Sequence, residues 1–301
     1  MSRIKLVPVA CPICGCRKNY TVLYPKNFIL SNFNTTVFSA RRQPDKIHCQ
    51  LVTCNRCHLV RSTPIVEDTI LSNLYKKSRL TYENELTNLT STYLHALQPV
   101  LTKLPLSAHI LEIGCGNGFV LKALSDRGYT NVYGVEPSSH AIALAHTSIR
   151  KKIKQSTLVP GLFKKETFDC IVFFQTLDHV ADPNAFLRLC RGFLKHGGVI
   201  MAFNHNIDSL SATILGEKSP IIDIEHTFLY SPKTLSLLFE KNGFCVDTVF
   251  SPAHYVSLRH IVWLSPIPKG VKKYLLSKKL PMLDTVITVQ LGNICLQGHK
   301  T

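Results

Sequence analysis

The stretch HILEIGCGNGFV, His109 to Val120, sets Gly114, Gly116 and Gly118 on alternate positions directly behind a short apolar run. The apolar run predicts a buried strand and the glycines a turn. The FVLKALSDRG that follows predicts a helix, with Phe119, Val120, Leu121 and Leu124 as its apolar residues and Gly128 just past its end. A second strand, NVYGVEPS, comes next and carries Glu136 to its tip. Strand, glycine turn, helix and strand in this order form one half of a parallel α/β layer.

Glycine spacing narrows the ligand. A phosphate-binding P-loop needs Lys followed by Ser or Thr after its glycines, and that pair is absent here. Dinucleotide sites space their glycines GxGxxG, whereas this chain reads GxGxG with Glu112 two residues ahead of the first glycine. Such a turn suits a ligand with an amino-acid end and a ribose but no pyrophosphate. The bare main chain allows close approach, and the Glu136 carboxylate can accept both ribose hydroxyls.

On these residues the sequence resembles the class I S-adenosylmethionine-dependent methyltransferases, and the resemblance continues in order along residues 105–250. FDCIVFFQTLDHVADPNAFLRLCRGFLKHGGVIMAFNHN resembles the family's fourth strand, acid-His-Val segment, helix, glycine turn and fifth strand. EHTFLYSPKTLSLLFEKNGF resembles the next segment, with Ser231 as helix cap, Pro232 in the first turn and Gly243 past the last. The resemblance implies an α/β, Rossmann-like seven-stranded sheet. It also implies S-adenosylmethionine as cofactor, met by Glu112, Gly114, Gly116, Gly118, Glu136 and Pro137. His196 replaces the proline usual in the glycine turn. The third-strand region KQSTLVPGLFKKETF lacks the acid that commonly meets adenine, which leaves Gly161 and Leu162 as its neighbours there.

The first 62 residues read as a separate zinc-binding unit. CPICG and CNRCH offer Cys11, Cys14, Cys54 and Cys57, two thiolates on each of two tight turns, and such turns facing each other close a tetrahedral zinc site. With four sulfurs there is no open position, so the metal is structural; it would supply most of the stability of a segment too small for its own core. Cys16, His48, Cys49 and His58 lie close enough in sequence to substitute as ligands. A four-cysteine head on this kind of domain resembles sugar C-methyltransferases and related enzymes of polysaccharide and natural-product clusters.

Charge is uneven. Of the net +16, the head carries +9, from ten Lys/Arg against Asp45 alone. A basic head suits an anionic partner. Neither a secretory leader nor an apolar run long enough to cross a bilayer is present, so a cytoplasmic chain, peripheral to a membrane at most, is expected. Eleven cysteines, several paired as CxxC, point to metal rather than disulfides.

Methyl transfer to a hydroxyl or carbon acid needs a base. Ligands of open α/β sheets bind beyond the carboxyl ends of the strands, and His179 and His226 both fall there. In the sugar enzymes that this chain resembles, a Glu-His pair at the Glu225–His226 position is implicated in deprotonation, and the histidine at the His179 position faces the substrate. We therefore expect His226 as base, with Glu225 and His179 polarising or orienting. An extended segment would turn Glu225 and His226 to opposite faces. Tyr75 and Tyr82 lie in a connector, residues 63–104, that in relatives covers the cofactor, and core packing is expected for both. Cys115, Cys170, Cys190 and Cys245 are read as buried thiols without chemistry.

GFCVDTVF and TVITVQLGNICLQ complete the sheet in the domain 105–301, and between them residues 251–284 form a basic insertion with Trp263 and five lysines from Lys269 to Lys279. Lys278 interrupts the Val271/Tyr274/Leu275 face, which favours a substrate cover over a membrane contact. The acceptor expected is a small molecule or saccharide, with a nucleotide-linked or lipid-linked sugar first and a quinone or phenolic lipid as the alternative. RNA is disfavoured because QTLDHV stands where base-modifying enzymes carry an Asn/Asp-Pro-Pro-aromatic segment. The head's aromatics, Tyr20, Tyr24, Phe28 and Phe33, also suffice as its own small core. A non-catalytic relative of the fold would bind S-adenosylmethionine weakly or not at all.

Overall fold

The computed structural model describes residues 5–29, 47–77, 85–265, 267–277, 280–290 and 292–301; Phe33, Tyr82, Lys278 and Lys279 lie outside them. The strand predicted from the opening stretch is β1 (Ile110–Ile113), buried at every position. It belongs to a seven-stranded sheet with β2 (Val132–Glu136), β3 (Ile153–Gln155), β4 (Phe168–Phe174), β5 (Leu194–His205), β6 (Phe244–Phe250) and β7 (Asn293–Lys300). The order is β3-β2-β1-β4-β5-β7-β6, and only β7 runs antiparallel to its neighbours.

Alternation along the strands divides the core between the two faces. Ile110, Val172 and Phe203 pack under α2 (Leu86–Leu101) and α3 (Phe119–Asp126). Leu111, Ile113 and Phe173 pack under α4 (Pro183–Phe193) and α5 (Pro232–Lys241). Ser231 caps α5 through the Thr234 N–H, and Gly243 follows its end at a φ of +79°, as the sequence predicts.

Cysteine knuckles and sheet share one core: Cys11, Cys54, Cys57 and Leu59 are buried in the same cluster as Phe173 and Phe239. The head's strands Tyr20–Tyr24, Leu51–Cys54 and Val60–Ser62 form an antiparallel sheet whose fourth strand, Phe228–Leu229, comes from the segment before α5. The connector supplies α1 (Asp68–Lys76) and α2.

Two expectations are corrected. TVITVQLGNICLQ is two strands, because Gly292, at a φ of +79°, breaks it. Val286–Val289 pairs with His254–Ser257 in a separate ribbon, and Asn293 begins β7. A side chain at Gly292 would also collide with Ser209 and Ser211. Cys245 is exposed, unlike the buried Cys115, Cys170 and Cys190. No helix among the described residues is long and apolar enough to cross a membrane.

Candidate active site

Beyond the carboxyl ends of β1, β2, β4 and β5 lies one cavity of about 930 Å³. Glu112, Gly114, Gly116, Glu136 and Pro137 line one end, and Glu225, His226, His179 and His205 line another part of the same space. Connector residues Leu71, Tyr75, Leu89 and Tyr93 also line it, as do His254, His260 and Trp263 from the insertion. Trp263 thus faces the crevice, with the His260 ring stacked on it at 5.2 Å.

The glycines divide their work. Gly116 has a φ of +56° and open space where a side chain would stand, so a ligand can reach its main chain. Gly118 points inward instead: a Cβ there would strike Ile149 and Ile153, and it does not line the cavity. Expected as a cofactor contact, Gly118 is placed as the glycine that lets α3 pack closely on the sheet.

Glu136 is 9% exposed, and its carboxylate accepts the N–H of Gly116 at 2.9 Å and that of Ser138 at 2.8 Å. The glycine turn is thereby tied to the tip of β2. A carboxylate can accept more than one hydrogen bond at each oxygen, the capacity that recognition of two ribose hydroxyls draws on. Open backbone at Gly116, this carboxylate and the cavity's size fit an adenosyl amino acid.

At the histidine-lined part of the cavity the segment Asp223–Thr227 is a turn, not an extended strand. Asp223 accepts the N–H of His226 at its carbonyl and that of Glu225 at its carboxylate. That turn brings Glu225 and His226 to the same cavity, which extended backbone would have prevented. The Nδ1 of His226 lies 2.8 Å from the Ile221 carbonyl, which can only accept, so the proton sits on Nδ1 and the lone pair on Nε2.

Asp178 went unread as a site residue. It is 1% exposed, and among the described residues neither of its carboxylate oxygens has a hydrogen-bond partner. Its oxygens lie 3.8 Å from Nε2 of His179 and 3.9 Å from Nε2 of both His205 and His226. Three imidazoles thus surround one buried negative charge. Burial, reinforced by the neighbouring His226, pushes His205 down to about 3 despite the opposing pull of Asp178. Burial likewise pushes His254 down to about 4 and lowers His260. These three rings are neutral near pH 7.

Tyr75 is corrected as well. Its hydroxyl is 3.1 Å from His179 Nδ1 and 3.5 Å from the Glu225 carbonyl, so it orients the histidine cluster rather than only filling core.

The four knuckle cysteines come together as expected. Sγ atoms of Cys11 and Cys57, and of Cys14 and Cys54, are 3.4 Å apart, and all four sulfurs lie within 4.8 Å of one another. Four thiolates around zinc, at bonds of about 2.3 Å, stand about 3.8 Å apart, so the donor set fits the metal. His48 is turned elsewhere, to the Cys49 carbonyl and to Glu217.

Residues 86–249 match the family model described as a methyltransferase domain. The chain belongs to that family. It is a class I S-adenosylmethionine-dependent methyltransferase, and its seven-stranded sheet has the corresponding fold. The ubiquinone biosynthesis O-methyltransferase of Nitrobacter winogradskyi is 31% identical over 161 residues, 48% of this methyltransferase and 60% of the relative. The human mitochondrial protein of the same name is 31% identical over 160 residues, 48% and 43% of the two chains. The chain spans about half the length of the curated relatives it matches. A protein of Galdieria sulphuraria, provisionally assigned as a sarcosine dimethylglycine methyltransferase, superposes with a TM-score of 0.50 at 13% identity, over 73% of this chain and 91% of that one. That likeness shows the fold alone.

Proposed function

We propose that this methyltransferase acts on a hydroxyl oxygen of an acceptor with a large apolar body, a phenol or quinone-type lipid. One observation carries the reading: His226, its Nδ1 held at the Ile221 carbonyl, lines the crevice with its Nε2 3.9 Å from the buried Asp178 carboxylate. An amine or thiolate acceptor needs no such base; a hydroxyl does. The names of the relatives support the oxygen and the lipid, and the apolar lining of Leu71, Leu86, Leu89, Ile261 and Leu264 suits the body. A saccharide, nucleotide-linked or lipid-linked, is the second reading. Neutral His254 and His260 in the cavity lining, the latter stacked on Trp263, favour it, as donors and a flat face for sugar hydroxyls.

S-adenosylmethionine supplies an electrophilic methyl group. Glu112, Gly114, Gly116, Glu136 and Pro137 hold it, and the glycine turn keeps its place through the Glu136 carboxylate. The acceptor proton passes to Nε2 of His226. As that ring becomes cationic, Asp178 stabilises it across 3.9 Å of protein interior, where charges interact far more strongly than in water. Tyr75 sets the angle of His179, and Glu225 contributes from the same turn as the base. α1, α2 and the insertion exclude water.

Cys11, Cys14, Cys54 and Cys57 hold a structural zinc ion in this reading. Exposed Val271, Tyr274 and Met282, beside Lys272 and Lys273, give the cover an outer face suited to an anionic lipid surface.

The test is incubation with S-adenosylmethionine and 3,4-dihydroxybenzoate, or its polyprenyl derivative, read by mass spectrometry. A methyl ether is expected from wild type and none from His226→Ala, which should still bind S-adenosylmethionine. Turnover by His226→Ala at the wild-type rate refutes the base. Methylation of UDP-sugars but of neither phenol would move the reading to saccharides.

A further inference from the structure

The residue assigned as base sits at the seam between the cysteine head and the catalytic sheet. Thr227, the next residue, donates its N–H to the Asp178 carbonyl at 2.8 Å on one side. On the other side Ser62 of the head takes hold of the same two residues. Its N–H donates to the Thr227 carbonyl at 2.8 Å, and its hydroxyl donates to the His226 carbonyl at 2.9 Å. Ser62 is 1% exposed, so water does not compete for these bonds. One step further along, Phe228 and Leu229 pair with Arg61 and Val60.

The strand that makes this clamp begins three residues after Cys57. Its neighbour in the sheet ends on Cys54, whose N–H closes the knuckle on the Leu59 carbonyl. Arg61, wholly buried, donates to the Val9 and Cys16 carbonyls and so ties the strand to the other knuckle. That knuckle is itself bolted to the catalytic domain, because Asn184 and Lys241 both donate to the Pro12 carbonyl.

Resting on the assignment of His226 as base, we propose that the head is a positioning device for that base, and that Ser62 is the residue through which it acts. Two carbonyls in the turn from Asp223 to Thr227 are fixed by Ser62. The imidazole is then aimed by its own Nδ1–H bond to Ile221, a geometry that persists only while the main chain is held. Rate in such a site depends steeply on alignment. Ser62 touches neither cofactor nor acceptor in this scheme, and no part of the S-adenosylmethionine end depends on it.

Ser62→Ala, Ser62→Thr and His226→Ala in the full chain test this. Readouts are turnover of 3,4-dihydroxybenzoate, the calorimetric Kd for S-adenosylmethionine, bound zinc, and the imidazole ¹⁵N NMR signals, which report the His226 tautomer without any acceptor. Ser62→Ala should lower kcat about tenfold or more. It should leave the cofactor Kd and the zinc content unchanged and turn the single Nδ1–H tautomer into a mixture. Ser62→Thr keeps the hydroxyl and should restore most of the rate. Should the alanine variant not fold, Ser62→Cys keeps the volume with a weak donor and is read in the same way. Loss of turnover in His226→Ala with wild-type kcat and tautomer in Ser62→Ala overturns the positioning role and leaves the base intact. Full turnover in His226→Ala overturns both. A fall in cofactor affinity or zinc alongside kcat would show general loosening of the head and also count against the proposal.

Discussion

Replacing Glu136 by alanine strikes the cofactor end at two levels. The carboxylate accepts two main-chain N–H groups, from Gly116 and Ser138, and in the proposed complex also receives two ribose hydroxyls. Hydrogen bonds to a charged group contribute about 1.5–3 kcal/mol each, so losing both ribose contacts costs about 3 kcal/mol at the low end, a rise in Kd of more than about 100-fold. The two orphaned N–H groups add a separate penalty to the free protein. Water entering the crevice can satisfy the Gly116 N–H, which holds that penalty to about 1–2 kcal/mol and Tm to a fall of a few degrees. Glu136→Gln keeps the volume and one good acceptor but turns an amide NH₂ toward one of the two N–H donors. Its Kd should fall between wild type and alanine. Calorimetric titration with S-adenosylmethionine, beside melting curves with and without ligand, measures both levels. Ligand at 100 times Kd should stabilise wild type by about 2.7 kcal/mol and the alanine variant hardly at all. A folded Glu136→Ala protein with a Kd within threefold of wild type refutes the reasoning.

Cys57→Ser should lose close to one zinc per chain by elemental analysis, and with it the solubility of the head. Acid should weaken the fold. His205 and His254 titrate near 3 and 4 when folded, against an ordinary 6.5, so below pH 6.5 the unfolded chain takes up protons that the folded chain refuses. Stability present above pH 6.5 is lost as pH falls toward 4, by roughly 2 kcal/mol per histidine at pH 5. His254→Asn should flatten the urea-midpoint profile between pH 7 and 5, and an unchanged slope would contradict it. Tyr75→Phe removes the hydroxyl from His179 and should lower kcat severalfold at constant cofactor Kd, measured by single-turnover kinetics. Trp263→Ala should raise the acceptor KM with little change in cofactor affinity; an unchanged acceptor KM would place the acceptor elsewhere.

What could be read from the chain was whatever is encoded locally. GxGxG after ILEI and Glu136 at the next strand tip mark the proposed cofactor end, because the strand, the open glycine turn and the carboxylate tied to it all lie within some thirty residues. The paired CxxC knuckles are equally local, and their four sulfurs do converge. What escaped is tertiary. Asp178 stands beside His179 in TLDHV and reads only as motif; its importance arises when His205 and the turn bearing His226 close around it. His205 ends the apolar run VIMAFNH, and the sheet-end argument that singled out His179 applies to it equally. Glu225 and His226 share a cavity because Asp223 folds the segment into a turn, a hydrogen-bond choice that strand periodicity does not reveal. The break at Gly292 hides between the β-branched run TVITV and the run NICLQ, which read together as one strand.

The crevice cover leaves the sheet after Phe250 and returns at Asn293, and those residues sit on neighbouring strands, β6 and β7. Its two ends are therefore pinned side by side whatever lies between them. Closing a longer or shorter excursion across so narrow a gap changes the folding free energy only by a logarithm of its length. Selection can thus recut this flap while the proposed nucleoside cradle, on β1 and β2 at the other half of the sheet, goes untouched.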